Sequence, residues 1–175
     1  MNEFDKAREK YKPTNIKYLL VAETPPKKDS KRFFYFEHVP KQDSLFLETM
    51  KLLYPEQTSG VETKDIRRNK ETFLRRFQSD GFFLIDALDE PFENKYSTKQ
   101  KTRLVEAGQN QLLEKIHSLI SDDTKVILIA APVFYANYEF LVENGIQVLN
   151  TETVDFPGSG GQKKFREKMG RILNL

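Results

Sequence analysis

The sequence predicts an α/β fold, a three-layer α/β/α sandwich around a mostly parallel sheet of four to five strands. Three observations lead there. The runs "IKYLLVA" (Ile16–Ala22), "FFLIDAL" (Phe82–Leu88) and "KVILIAA" (Lys125–Ala131) are short and almost continuously apolar, as expected of strands covered on both faces in a parallel sheet. Amphipathic helical patterns separate them. The alternation continues along all 175 residues with no internal repeat and no linker, so residues 1–175 read as one domain with one core.

The elements follow in order. The opening "MNEFDKAREKYKP" is polar and lacks the apolar centre of a signal peptide. The first strand ends in "AETPP" (Ala22–Pro26) and leads into a long loop, roughly Pro25–Gln42. "DSLFLETMKLL" predicts a helix with Asp43 as N-cap and Phe46, Met50 and Leu53 on one stripe. "KDIRRNKETFLRRFQSDG" stripes Ile66, Phe73 and Phe77, and Gly81 stops it. After the second strand and a loop at about Asp89–Lys101, the segment Arg103–Ile120 repeats the pattern with Leu104, Leu112, Ile116 and Leu119. The third strand is followed by the helix "PVFYANYEFLVENG", ended by Gly145, and a fourth strand is expected at "IQVLN" (Ile146–Asn150). "QKKFREKMGRILNL" closes the chain as a basic amphipathic helix.

Composition narrows the chemistry. With no cysteine there are no disulfides, iron–sulfur clusters or cysteine-based zinc sites. His38 and His117 are the two histidines, too few for a histidine-built metal centre. No metal and no cofactor are expected. No apolar run approaches the ~20 residues that cross a bilayer, and a cytoplasmic protein without membrane contact is expected. Lys+Arg 28 against Asp+Glu 26 leaves a net charge of +2, so local charge must identify any partner.

Ligands of doubly wound sheets bind beyond the carboxyl ends of the strands. The sequence there has no GxGxxG, no GxxxxGK[ST] and no GxSxG, which removes local support for dinucleotide, ATP and hydrolase readings. Four other features stand at those ends. Glu23 follows the first strand, and Asp86 lies in the second run, "LIDALDEP". Each reads either as a loop or capping group or as a ligand-facing carboxylate. Phe33, Phe34, Tyr35 and Phe36 follow a basic cluster in "KKDSKRFFYFEH". They suit base stacking or a hydrophobic cluster under the loop. Consecutive rings cannot all face one core. Finally, Pro157, Gly158, Ser159, Gly160 and Gly161 lead into a helix carrying Lys163, Lys164, Arg166, Lys168 and Arg171 against one acid, Glu167. Small residues and a helix N-terminus suit a phosphate, and the lysines suit a phosphodiester backbone. A solvated basic face is the alternative.

The ordered set, from about Ile16 to Arg171, resembles the uracil-DNA glycosylase superfamily. "AETPP" stands where members carry Gly-Glu-Ala-Pro-Gly, with Glu23 matching the acid. An aromatic shortly afterwards stacks on the extruded base, a role open to Phe34, Tyr35 or Phe36. Asp86 stands where an asparagine reads the base edge, and "FPGS" (Phe156–Ser159) stands where His-Pro-Ser precedes the last helix. The resemblance implies metal-independent hydrolysis of an N-glycosidic bond in a nucleotide flipped out of single- or double-stranded DNA, as in DNA repair, by a monomer. Glu23 and Asp86 would be catalytic. Phe34, Tyr35, Phe36 and Phe156 would bind the base; Pro157–Gly161, Lys163 and Lys164 would bind DNA. Three departures matter. The absence of cysteine excludes the iron–sulfur branch. Phe156 lacks the hydrogen-bond donor of the usual histidine. An ionised Asp86 only accepts, which suits a cytosine-like base with an exocyclic amine better than uracil, unless Asp86 is protonated. A non-catalytic nucleic-acid-binding relative and an α/β enzyme acting on a small nucleoside or nucleotide remain as alternatives.

Overall fold

A computed structural model describes residues 1–158 and 160–175. The three apolar runs form a parallel sheet: β1 (Tyr18–Ala22) lies between β2 (Phe82–Asp86) and β3 (Lys125–Leu128). Tyr18 pairs with Phe82 and Lys125, and Ala22 pairs with Asp86. Every residue of β2 is buried, as are all but the first of β1 and of β3. Such strands need cover on both faces.

The helices supply it. The chain runs from β1 to β2 through α2 (Ser44–Leu53), α3 (Pro55–Thr58), α4 (Thr63–Arg68) and α5 (Lys70–Ser79). It returns past β1 to β3 through α6 (Thr98–Ala107) and α7 (Gln109–Leu119). The two steps go in opposite directions, so right-handed crossovers put their helices on opposite faces. α8 (Ala131–Glu143) packs on α6 and α7, and α9 (Gln162–Leu173) packs on α2. At the N-terminus, α1 (Glu3–Lys10) is set by a capping box between Asn2 and Asp5 and buries Phe4.

The sheet is smaller than expected: among the described residues it has three strands, not four to five. The segment Ile146–Asn150 touches β3 through a single bridge, Val148 to Val126, and a second bridge joins Val154 to Ile129. The reason lies between them. The Asn150 amide accepts from Leu128 N (2.9 Å) and donates to Leu128 O (3.0 Å). A side chain thus takes the rungs that a fourth strand would have supplied. On the opposite edge, the Tyr35 hydroxyl accepts from Leu84 N (2.7 Å) and donates to Leu84 O (3.2 Å).

Two expected helices are each broken in two. Asn69 leaves helical geometry between α4 and α5. Gly108 does so between α6 and α7, where Leu88 packs so close that a Cβ on residue 108 would lie 2.8 Å from it. The break shifts the phase of the stripe: Val105 is buried, and Leu104 is 41% exposed. Asp43 precedes α2 as expected, but its carboxylate accepts from Arg67 Nε (2.7 Å) instead of capping the helix.

Removing either edge cover strands two buried backbone groups, each costing about 1–3 kcal/mol when unsatisfied. Asn150→Ala and Tyr35→Phe are each expected to lower unfolding free energy by about 2–4 kcal/mol, measured by urea denaturation. A loss under about 0.5 kcal/mol, the range of ordinary surface changes, would show that neither edge needs its plug.

Candidate functional site

The register between β1 and β2 builds the site. Ala22 faces Asp86, and the ladder continues past the strand ends through Ala87 N to Ala22 O (2.8 Å) and Leu88 N to Glu23 O (3.0 Å). Glu23 and Asp86 are therefore held side by side by backbone bonds. Both line a cavity of about 400 Å³ with Phe33, Phe34, Asp43 and Phe156. A second cavity of about 440 Å³ shares Glu23, Lys101 and Phe156 with the first and adds Gly160, Gly161 and Lys164.

Asp86 is 5% exposed and pairs with Arg8 of α1, Nη2 to Oδ2 at 2.7 Å. Burial pushes its carboxyl up to about 6, with the Arg8 charge opposing the rise. The same guanidinium lies over the Phe33 ring, 5.3 Å from its centre. Glu23 is contacted by Lys101 of α6, whose Nζ lies 3.4 Å from Oε2 and 5.2 Å from the centre of the Phe92 ring. Behind the cavity wall, Lys70 is fully buried. It donates to Phe33 O (3.1 Å) and lies 3.8 Å from Asp43 Oδ2. Its amine is pushed down to about 7 by burial, against the pull of Asp43.

The four consecutive aromatics divide. Phe33 and Phe34 line the cavity, and Phe34 packs edge-on against Phe46 at 5.7 Å. Tyr35 turns away to cover the edge of β2, and Phe36 stacks on Phe4 at 5.5 Å. Tyr35 and Phe36 thus lie outside the cavity, and Phe33 takes the wall position expected of one of them. The hydroxyl explains the direction of Tyr35: of the four rings, only a tyrosine can serve Leu84 N and O together.

In the glycine loop, Pro157 is buried and Phe156 stands 47% exposed at the lip joining the two cavities. Gly158 N donates to the Phe156 carbonyl (2.8 Å). A Cβ on Gly161 would lie 2.5 Å from that oxygen, so the turn admits only glycine there. Ser159 lies outside the described residues. The backbone is also forced where β3 meets α8: Ala130, on the wall of the second cavity, has φ 79°.

Much of the positive charge on α9 is spent internally. Arg166 pairs with the buried Glu48, Arg171 pairs with Glu152 at 3.0 Å, and Lys168 pairs with Asp155 at 3.0 Å. Lys168 holds the Asp155 carboxyl below its ordinary range. Lys164 faces the second cavity, and Lys163 points outward with its side chain 82% exposed.

Sequence reasoning missed Arg8 and Lys101, named Phe33 among the four rings but not among those expected to bind the base, and gave Asp43 a different task. Arg8 and Lys101 stand in stretches rich in like residues, 78 positions from the carboxylate each one pairs with. No local pattern marks such a partner.

No protein-family model matches this chain, and no curated protein matches its sequence. Among the described residues no helix is long and apolar enough to cross a membrane.

The sign of the Asp86 shift sets a pH dependence. Its carboxyl rises from 3.8 to about 6 on folding, so the folded state holds the proton more tightly. That contribution is full below about pH 3.8 and is lost as pH rises through 6. Relative to Asp86→Asn, wild type should therefore gain unfolding free energy between pH 7 and pH 4, read from urea midpoints. A difference that stays flat across this range overturns the assignment.

Proposed function

We propose that this protein is a DNA glycosylase that hydrolyses the N-glycosidic bond of a modified or damaged, cytosine-like base flipped out of DNA. The observation that carries the reading is the convergence of Glu23, Asp86, Phe34 and Phe156 on one cavity. These residues come from the four motifs that resemble the uracil-DNA glycosylase superfamily.

Each takes a role that its environment supports. Cleaving the bond develops positive charge on the sugar, and Glu23 stabilises it as an anion at the rim between the cavities, or orients the attacking water. Phe33 and Phe34 offer apolar walls to a base, whose unstacking from the duplex costs a few kcal/mol. Asp86 Oδ2 is taken by Arg8. The carboxylate is ionised above about pH 6, so its other oxygen accepts a hydrogen bond from an exocyclic amine and repels a carbonyl. Lys164, Gly160 and Gly161 line the second cavity, where the sugar–phosphate chain would run.

The test is excision from oligonucleotides carrying uracil, cytosine and modified cytosines, with alkaline cleavage as readout. Glu23→Gln is expected to lower turnover by roughly 10²–10⁴-fold, the usual contribution of a positioned acid or base, and to leave DNA affinity nearly unchanged. Asp86→Asn should shift preference toward uracil. Full activity in Glu23→Gln sinks the reaction class. Robust uracil release by wild type, unaltered in Asp86→Asn, sinks the choice of base.

A further inference from the structure

We propose a second activity for the same site: Lys101 cleaves the strand at the abasic sugar that base removal leaves behind. The inference rests on the glycosylase reading. Lys101 borders both cavities, and its Nζ lies 3.4 Å from Glu23 Oε2. Its side chain is 31% exposed, against 82% for Lys163. The amine is thus held in the cleft, with a carboxylate beside it to take its proton. A sugar placed for Glu23 to stabilise its C1′ has that carbon within reach of the amine.

The chemistry is that of a lysine meeting an aldehyde. Glu23 accepts the ammonium proton, and the Lys101 lone pair forms a C–N bond to C1′ of the open-chain abasic sugar. The oxygen takes one proton back from Glu23 and a second from the nitrogen and leaves as water, giving an iminium ion. Glu23, having passed its proton to that departing water, removes a C2′ proton. The C–H electrons form the new double bond, and the C3′–O bond breaks with its electron pair on the leaving phosphate. Water then hydrolyses the imine, freeing Lys101 and an unsaturated aldehyde at the 3′ end. No oxidant or reductant takes part. Lys164 lines only the second cavity and has no carboxylate placed like Glu23 beside it among the described ion pairs.

The experiment uses an oligonucleotide with a preformed abasic site, so it does not depend on base excision. Incubation with sodium cyanoborohydride should trap a covalent protein–DNA adduct that peptide mapping locates at Lys101. Without the reductant, wild type should nick the strand. Lys101→Arg, which keeps a cation beside Glu23 and forms no stable imine, should lose both adduct and nicking, with an unchanged unfolding midpoint. Trapping without excision of any base supports the lyase and removes the glycosylase reading. Base excision with no adduct, an adduct that survives in Lys101→Arg, or neither reaction at all overturns the lyase.

Discussion

A parallel sheet of three strands has one interior strand and two edges, and here both edges lie inside the protein. Buried amides and carbonyls along them must find partners. Two side chains answer this need. Tyr35 serves Leu84 on the β2 edge, and Asn150 serves Leu128 on the β3 edge. Both lie in segments that also build the cavities. Fixing Tyr35 fixes its neighbours Phe33 and Phe34 as cavity walls. Fixing Asn150 and Val154 brings Phe156 to the lip. The sheet's need for closed edges and the shape of the site are one constraint.

Charge plays a second positioning role. Asp86, Asp43 and Glu48 are buried, and each is held by a cation from a distant element: Arg8 of α1, Arg67 of α4 and Arg166 of α9. Buried pairs contribute little net stability, because desolvation offsets their attraction. Their value lies in geometry. Arg8 ties α1 to the end of β2, Arg67 ties α4 to the start of α2, and Arg166 ties α9 to the middle of α2. Lys70 adds a fourth tie, joining α5 to the Phe33 carbonyl. Two of the carboxylates that line the first cavity, Asp86 and Asp43, are thereby oriented by helices distant from them in the chain. Most of the positive charge on α9 is consumed in the same way, which leaves Lys164 at the second cavity and Lys163 facing outward.

Much of the fold was legible because its signals are local. Continuous apolar runs mark strands buried on both faces, and β1, β2 and β3 fall within the three that stand out. Glycine marks helix ends, as Gly81 and Gly145 do with positive φ. Glu23 and Asp86 could be named because strand ends in this fold class open onto ligand sites. The fourth strand was not legible, since "IQVLN" has strand composition and nothing local says that Asn150 replaces the ladder. The breaks at Asn69 and Gly108 were hidden for a similar reason. A stripe of apolar residues survives a short interruption, and only the packing of Leu88 shows that the helix must turn at Gly108.

The sequence alone determined the class of fold, the positions of its three strands and the two carboxylates at adjacent strand ends, because each depends on residues near one another in the chain. The tertiary structure alone decided which aromatic faces the cavity, which cations answer Glu23 and Asp86, and how many strands the sheet keeps. Those outcomes depend on competition among distant partners for a limited set of buried groups. Tyr35 leaves the cavity because Leu84 needs a hydroxyl, and Arg8 enters the site because a buried carboxylate needs a counter-charge.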